Sequence, residues 1–267
     1  MYKENYILRD DAMKLYGVIN MDIVDSRNTS NRDYIQKKIL GYLEYMNNKN
    51  SDLLLTPITM TLGDEWQIVL SKPYKGYEII NTFQTFLRKD DILVYSGFGI
   101  GTISTGIYKD TRLMDGECFI KAREALNIAK NKNRFYNKQM NSKKNNVYFN
   151  ADDLSFNQVF PNKTAYLGEV AITTIDNQKQ ILTFNKIINS MIENNEILKH
   201  KVTEKQWETI QLYDKLGSYN NMVKHGESIS KADISQKING SNYFVIKNNN
   251  LNIESLLRLY CKIKEGI

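Results

Sequence analysis

The sequence predicts an α+β fold, in which a ferredoxin-like βαββαβ domain precedes an all-helical domain with a helix-turn-helix. Before residue 150, segments with apolar residues at every second position alternate with segments whose apolar residues recur every three or four positions, in the order β-α-β-β-α-β. After residue 200, three short segments with helical spacing are separated by glycines. These two observations predict the fold class.

The chain is expected to begin with a strand, a helix and a hairpin. The strand is expected within Tyr16–Asp25, where a short apolar run ends in acidic residues. A helix follows over 35–46, because apolar residues recur there at helical spacing. Period-two alternation over 57–70 then predicts a hairpin with the acids Asp64 and Glu65 at its turn.

Two further helix-strand pairs complete the predicted sheet. Helical spacing over 77–87 is followed by a glycine-bearing strand over 92–101. A helix over 117–131 and a short strand over 147–149 come next. The glycines of the 92–101 strand lack the spacing of a dinucleotide-binding fingerprint, because no helix opens on them. They predict close backbone packing instead.

The rest of the chain is predicted to be helical. A long connecting helix is expected over 178–198. Thr203 and Gln206 have the spacing of a capping box, and a third short helix is expected to begin near Ser230. The predicted division is an α+β domain over 1–175, a connecting helix within 176–200 and a helix-turn-helix domain over 201–267.

Composition restricts the kinds of metal site that the chain can form. Its two cysteines, Cys118 and Cys261, are far apart and form no CxxC pair, which argues against a zinc site or a disulfide framework. We expect two reduced, partly buried thiols. The two histidines, His200 and His225, are too few for a histidine-rich site. If a metal binds, carboxylates must hold it.

Hydropathy and charge indicate the cellular compartment of the protein and the kind of partner that it binds. No stretch reaches the roughly 18 apolar residues of a membrane span, and the start lacks the layout of a signal peptide, so a cytoplasmic protein without membrane contact is expected. The net charge is +6, and residues 198–267 carry 11 Lys and Arg against 7 Asp and Glu. This excess favours an anionic partner, although lysine-rich surfaces are often only solvated.

Carboxylates stand at the ends of two predicted strands that a ferredoxin-like sheet brings together. Asp22 ends the first strand and Asp64 lies in the hairpin, so their side chains are expected side by side. Converging carboxylates repel unless a cation is present, and oxygen-only ligation suits Mg²⁺ or Mn²⁺ with a bound nucleoside triphosphate. The alternative is that Gly63, Asp64 and Glu65 form only a polar hairpin tip.

The residues after the first strand are candidates for a phosphate contact. Ser26 and Arg27 could donate backbone amides and a guanidinium to a phosphate. Arg27 could equally pair only with Asp25. Both interpretations stay open at the level of the sequence.

The third C-terminal helix is the candidate recognition helix for double-stranded DNA. Polar side chains at the start of such a helix reach base edges, and lysines meet phosphates. A plain protein-interaction module is the alternative. DNA binding would require a homodimer, because one small module makes few specific contacts. The candidate DNA-binding residues are Ser228, Ser230, Lys231, Gln236 and Lys237.

Three motifs in order resemble the catalytic core of class III nucleotidyl cyclases and, more loosely, of GGDEF-type diguanylate cyclases. They are MDIVDS, TLGDEW and GFGIGTIST. The resemblance implies that Asp22 and Asp64 are metal ligands, with the carbonyl of Ile23 as a third contact. The residues then expected beside the nucleotide are Asp25, Ser26, Arg27, Glu65, Lys121 and Arg123.

A resemblance to the SatD family of bacterial proteins covers nearly the whole chain. It rests on the DIVDSR start, the TLGDEWQ hairpin, the GIG strand, the MDGECFIKAREAL helix and a C-terminal helix-turn-helix that opens TEKQW. All five stand in this order. The family itself implies little about activity.

The departures from cyclases bear on catalysis. Cyclases have a base-selecting lysine three residues before the hairpin glycine, where this chain has Met60. They have Asn and Arg four and eight residues after a glycine on a late helix, where this chain has Ile120 and Glu124. Lys121 and Arg123 are out of register, and one residue turns a helical side chain by about 100°. These differences argue against cyclic-nucleotide synthesis.

Three functions follow as hypotheses. The first is a regulator that binds a nucleotide and Mg²⁺ and is coupled through the connecting helix to a DNA-binding domain. The second is a metal-dependent nucleotidyl cyclase or nucleotidyltransferase, since two-metal chemistry needs only carboxylates and placed phosphates. The third is a scaffold whose site has decayed.

Overall fold

The computed structural model describes residues 13–26, 31–131, 139–155, 171–173, 179–225 and 230–266. The fold is α+β, as predicted, with a five-stranded mixed sheet. The strands are β1 (Tyr16–Ile23), β2 (Thr59–Leu62), β3 (Glu65–Leu70), β4 (Val94–Gly101), β5 (Val147–Asn150), β6 (Ala171–Thr173) and β7 (Lys179–Ile181). The helices are α1 (Arg32–Lys49), α2 (Gly76–Arg88), α3 (Glu117–Lys130), α4 (Phe184–His200), α5 (Glu204–Leu216), α6 (Tyr219–His225), α7 (Lys231–Gly240) and α8 (Tyr243–Glu265).

The strand order of the main sheet is β2-β3-β1-β4-β5, so β1 lies at its centre. β1 runs antiparallel to both β3 and β4, whereas β4 and β5 are parallel. Up to β4 the elements follow one another as predicted, from strand and helix to hairpin, helix and strand. In this register Asp22 lies opposite Glu65 on β3 and Tyr95 on β4.

The two faces of the sheet pack against different helices. Ile19 and Met21 of β1 point into the large core, which α1, α2, α4 and α8 cover. Val18 points to the other face and packs in a smaller core with Cys118 and Ala122 of α3. Asp22 has the same strand parity as Val18, so its side chain lies on the α3 face.

Glycines on β4 let α3 lie directly on the sheet. A Cβ atom at Gly97 would stand 2.1 Å from the backbone nitrogen of Leu126, and one at Gly99 would stand 2.3 Å from that of Ala122. Neither gap accommodates a side chain. The predicted close packing is therefore confirmed, and it fixes the position of α3 against the sheet.

The C-terminal helices divide between two cores. A small core joins α5, α6 and α7 through Ile210, Met222, Ile234 and Ile238. Leu257 on α8 belongs instead to the large core. The last helix thus spans both parts of the molecule, which connects the small helical bundle to the sheet.

Residues that the sequence indicated as the ends of C-terminal helices have these positions in the structure. Thr203 and Gln206 form the predicted capping box at the start of α5. Gly217 ends α5 with φ +75°, a left-handed conformation that favours glycine. Ser230 caps α7, where its side chain accepts a hydrogen bond from the Asp233 amide at 3.1 Å.

The connecting helix begins and ends at residues other than those predicted from the sequence. The expected range was 178–198, whereas α4 spans Phe184–His200 and begins after the cap Thr183. Ile188 and Ile192 are fully buried in the large core. Because one apolar stripe is covered by the sheet, α4 is part of the folded core.

Cys118 and Cys261 are buried free thiols, and burial raises the pKa of each to about 12. The expectation of unpaired thiols is confirmed. Within the described ranges, no helix combines the length and apolar character needed to cross a bilayer.

Candidate functional site

Three acidic residues meet at one end of the central strands. Asp22, near the end of β1, is the cross-strand partner of Glu65, the first residue of β3. Asp64 lies in the tight turn between β2 and β3, and its carbonyl accepts a hydrogen bond from the amide of Ile23 at 3.2 Å. The strand order thus brings together the acids that the sequence singled out.

Asp22 is a largely buried carboxylate held by a lysine. Its side chain is 14% exposed, and Lys130 Nζ lies 2.7 Å from its Oδ2. Burial raises the pKa of the Asp22 carboxyl, and the charges of Asp64 and Glu65 add to that increase, while Lys130 opposes it. The effect of burial on this carboxyl therefore exceeds the opposing effect of the lysine.

Glu65 is paired with a guanidinium. Arg123 on α3 donates two hydrogen bonds to it, at 2.7 and 2.9 Å, in a bidentate geometry. Thr61 Oγ1 donates a third, at 3.1 Å. The Glu65 side chain is only 3% exposed, so this pairing satisfies a buried charge.

Asp64 borders a small cavity of about 140 Å³ at the start of α1. Ser26 Oγ donates a hydrogen bond to Asp64 Oδ2 at 2.5 Å. Arg32, the first residue of α1, and Gln36 one turn later also line this cavity. A space of this size accommodates an ion or one phosphate group, but no complete nucleotide.

A larger cavity, of about 640 Å³, lies on the α3 face beside Glu65 and Arg123. Two buried amides on its wall are joined, because Asn20 Oδ1 accepts a hydrogen bond from Gln67 Nε2 at 2.8 Å. Asn20 Nδ2 has no hydrogen-bond partner among the described residues. A buried donor without a partner is unusual and marks this wall as a possible ligand contact.

The remaining predicted nucleotide contacts lie elsewhere or outside the described residues. Lys121 forms an ion pair with Asp152, away from the three acids. Asp25 lies in the loop after β1 with a left-handed φ of 53°. Burial raises the pKa of Tyr95, and the charge of Asp25 adds to that increase. Arg27 is outside the described ranges.

The predicted DNA-contacting residues lie at the start of α7 and along it. Ser230 is its cap, and Lys231 and Gln236 are exposed. Lys237 is paired with Asp233 at 2.8 Å, one turn apart on the same helix. Ser228 is outside the described residues.

Sequence reasoning missed Lys130, the partner of Asp22. A signal was present, because Arg123 and Lys130 are seven residues apart and therefore share one face of α3. What the sequence did not provide was the rotation of that face towards the acids.

The acids do not by themselves form a closed metal cage. In the described part of the chain, no group of three or more His, Cys, Asp or Glu side chains is arranged to hold a metal ion. Lys130 and Arg123 neutralise two of the three carboxylates. The arrangement is an acid-base network beside two cavities.

The family comparison covers four of the five sequence motifs, and the TEKQW motif at 203–207 lies outside the matched residues. The SatD family model matches residues 16–159, more than half of the chain, and the match includes all three acids together with α3. It ends before α4. No curated protein matches the sequence.

Proposed function

The chain belongs to the SatD family, and we propose that it is a regulatory protein that binds a nucleotide with Mg²⁺ or Mn²⁺ through Asp22 and Asp64 and binds duplex DNA through α5–α7. The α+β part would be a ferredoxin-like, nucleotidyl cyclase-like domain. The β2-β3-β1-β4 order and the antiparallel pairing of β1 with both neighbours support that assignment.

The convergence of Asp22, Asp64 and Glu65 carries the proposal. Oxygen ligands suit a hard divalent cation. Burial raises the pKa of Asp22, the charges of Asp64 and Glu65 add to that increase, and a bound cation would oppose it. The Asp22 and Asp64 carboxylates and the Ile23 carbonyl would hold the ion. Such an ion would screen negative phosphates. It would take the place that Lys130 Nζ occupies against Asp22.

Side chains near the acids fit the other parts of a nucleotide. Ser26 and Arg32 line the small cavity, and their hydroxyl and guanidinium suit a phosphate group. Asn20 and Gln67 line the larger cavity, and their amides suit the edge of a base. The unpartnered Nδ2 of Asn20 is the donor that a ligand would satisfy.

The helical bundle of α5–α7 fits a helix-turn-helix. Three short helices surround one small core, and α7 exposes Lys231 at its start and Gln236 near its middle. Two such bundles in a homodimer would supply contacts to both half-sites. Ligand-dependent placement of the bundles would couple nucleotide binding to DNA binding.

Thermal unfolding with each of the four nucleoside triphosphates and Mg²⁺ or Mn²⁺ tests the nucleotide site. We expect one nucleotide to raise the melting temperature of the parent protein but not of Asp22→Asn or Asp64→Asn. Asp33→Asn is the matched control, because Asp33 is an exposed acid on α1 whose ion-pair partner is Lys37. An equal shift in all variants, or no shift in the parent, would refute the metal-nucleotide site.

A second candidate function is a non-catalytic scaffold, and the ion pairs favour it. Lys130 and Arg123 already neutralise Asp22 and Glu65, as in a site whose charges are satisfied internally. The same mixtures, analysed by liquid chromatography with mass detection, separate the candidates. Unchanged nucleotides and no melting shift favour the scaffold. A cyclic or linked nucleotide made only by the parent would establish an enzyme.

A further inference from the structure

A cavity of about 410 Å³ lies where the helical bundle meets the sheet. Five segments of the chain line it. They are the segments around Val24 and around Val94 at the sheet edge, α2, the segment 143–146, and the α4–α5 junction. It is separate from both cavities beside the three acids, with which it shares no lining residue. Its volume is within the range of small-molecule sites.

Positive charge is concentrated on this cavity. Arg88, Lys143, Lys144 and Lys199 line it, against the two acids Asp25 and Glu196. The Glu196 carboxylate already contacts neighbouring side chains of the protein. It lies 2.5 Å from Lys199 Nζ and accepts hydrogen bonds from Tyr77 at 2.9 Å and Gln84 at 3.1 Å.

Arg88 is fixed in position and forms no ion pair among the described residues; burial lowers its pKa, and the nearby charges of Glu204 and Asp91 oppose that change. Its guanidinium donates hydrogen bonds to the carbonyls of Lys199 at 3.3 Å and Val202 at 2.5 Å. It also lies 4.7 Å from the centroid of the Trp207 ring, in a cation–π contact. A cation held this way keeps its charge and loses little entropy when an anion binds.

Lys143 and Lys144 supply cations that can move towards a ligand. Both side chains are exposed, and within the described ranges neither has an ion-pair partner. Asn81 and Thr85 of α2 add neutral hydrogen-bonding groups, and Ile92 adds apolar surface. The lining thus combines fixed and mobile cations with polar and apolar contacts.

We propose that this cavity binds a small phosphorylated compound without a metal ion. A phosphate would contact Arg88 and the lysine pair, and the remainder of the molecule would lie between α2 and Trp207. Because the ligand would contact α2, α4, α5 and the 143–146 segment together, it would stabilise the junction of the bundle with the sheet. The proposal does not depend on nucleotide binding at Asp22 and Asp64.

Titration of the full chain in EDTA with inorganic phosphate, pyrophosphate or AMP tests the site, with tryptophan fluorescence as the signal. The chain has two tryptophans, and Trp66 is fully buried in the large core, so the response is assigned to Trp207. We expect a saturable change in the parent protein and in Asp64→Asn. The fluorescence response should disappear in Trp207→Phe. Isothermal titration calorimetry should still detect binding of the probe by this variant.

Charge variants decide whether the cavity is the site. The double variant Lys143→Gln/Lys144→Gln is expected to bind the best of the three probes roughly ten-fold more weakly, the loss of about one charged hydrogen bond. Lys224→Gln/Lys262→Gln removes the same charge from exposed positions outside the cavity and should bind like the parent. Equal weakening in both double variants, or no saturable response in the parent, would overturn the proposal.

Discussion

Lys130 Nζ, at the end of α3, lies 2.7 Å from the carboxylate of Asp22 at the end of the central strand. The contact depends on the close approach of α3 to the glycines of β4, which brings the helix over the acids. The lysine therefore occupies the position that a bound cation would compete for. The balance between lysine and metal is the property on which the proposed function depends.

Replacing Lys130 by Gln should strengthen metal-nucleotide binding. The change removes the internal competitor for Asp22, and an ion pair of this kind contributes up to about 1 kcal/mol, or roughly five-fold in affinity. Mn²⁺ titration with a fixed nucleotide measures the change. Lys37→Gln, at an exposed pair on α1, is the control and should have no effect. Weaker Mn²⁺ binding by Lys130→Gln would contradict the competition.

Replacing Arg123 by Ala should destabilise the fold. It leaves the carboxylate of Glu65 buried without its partner, which typically lowers the free energy of unfolding by about 3 kcal/mol. Urea unfolding measures the loss. Arg112→Ala removes an exposed arginine paired with Asp110 and should leave the free energy of unfolding nearly unchanged. A similar effect of the two changes would show that the Glu65 pair has no special role.

The glycine contact between β4 and α3 can be tested by adding one methyl group. In Gly99→Ala the Cβ would stand 2.3 Å from the Ala122 nitrogen and 2.5 Å from the Cys118 carbonyl oxygen. Because both atoms are backbone, we expect a loss of about 3 kcal/mol in urea unfolding. Gly41→Ala, within α1 and with no atom within 4 Å, should instead gain about 0.5–1 kcal/mol. Equal stability of the two variants would contradict the packing.

The pH dependence of stability should report the burial of Asp22. Its pKa in the folded protein is raised above the ordinary 3.8, so the folded state holds the proton more tightly than the unfolded state. The resulting penalty is complete above the raised folded pKa and disappears as pH falls to 3.8. In EDTA, Asp22→Asn should therefore be more stable than the parent near neutral pH. Urea unfolding at several pH values should show this advantage closing on acidification, and an advantage that grows instead would contradict the sign.

Changes on α7 should weaken DNA binding in a salt-dependent way. Lys231→Gln with Gln236→Ala removes one cation and one polar group from its exposed face. We expect weaker binding to a labelled duplex in fluorescence anisotropy, with the salt slope reduced by about one. Lys262→Gln on α8 is the control of equal charge change. If both variants bind equally, α7 is not the recognition helix.

The sequence was sufficient for elements whose signals are local. Alternation over 57–70 and the acids within it located the hairpin, and the capping box located the start of α5. Gly97 and Gly99 indicated close packing, because no other role fitted their spacing. In each case the residues that determine the structure are close together in the chain.

The missing information concerns what each helix packs against. The sequence predicted three short C-terminal helices, and it indicated neither the long helix α8 nor the entry of its Leu257 into the large core. In the same way, Lys121 and Arg123 were two residues apart on one helix, and only the packed orientation sends Arg123 to Glu65 and Lys121 to Asp152. Long-range packing decides such partners, and one sequence does not specify it.

Electron paramagnetic resonance of Mn²⁺ in the presence of the stabilising nucleotide tests the central claim most directly, because free Mn²⁺ gives the signal and bound Mn²⁺ loses it. The reference is the signal of the same Mn²⁺–nucleotide mixture without protein. The account predicts that the parent protein and Asp33→Asn reduce this signal with one saturable site, whereas Asp22→Asn and Asp64→Asn leave it unchanged. An equal reduction in all four proteins, or none in the parent, would contradict metal-nucleotide binding at the paired acids.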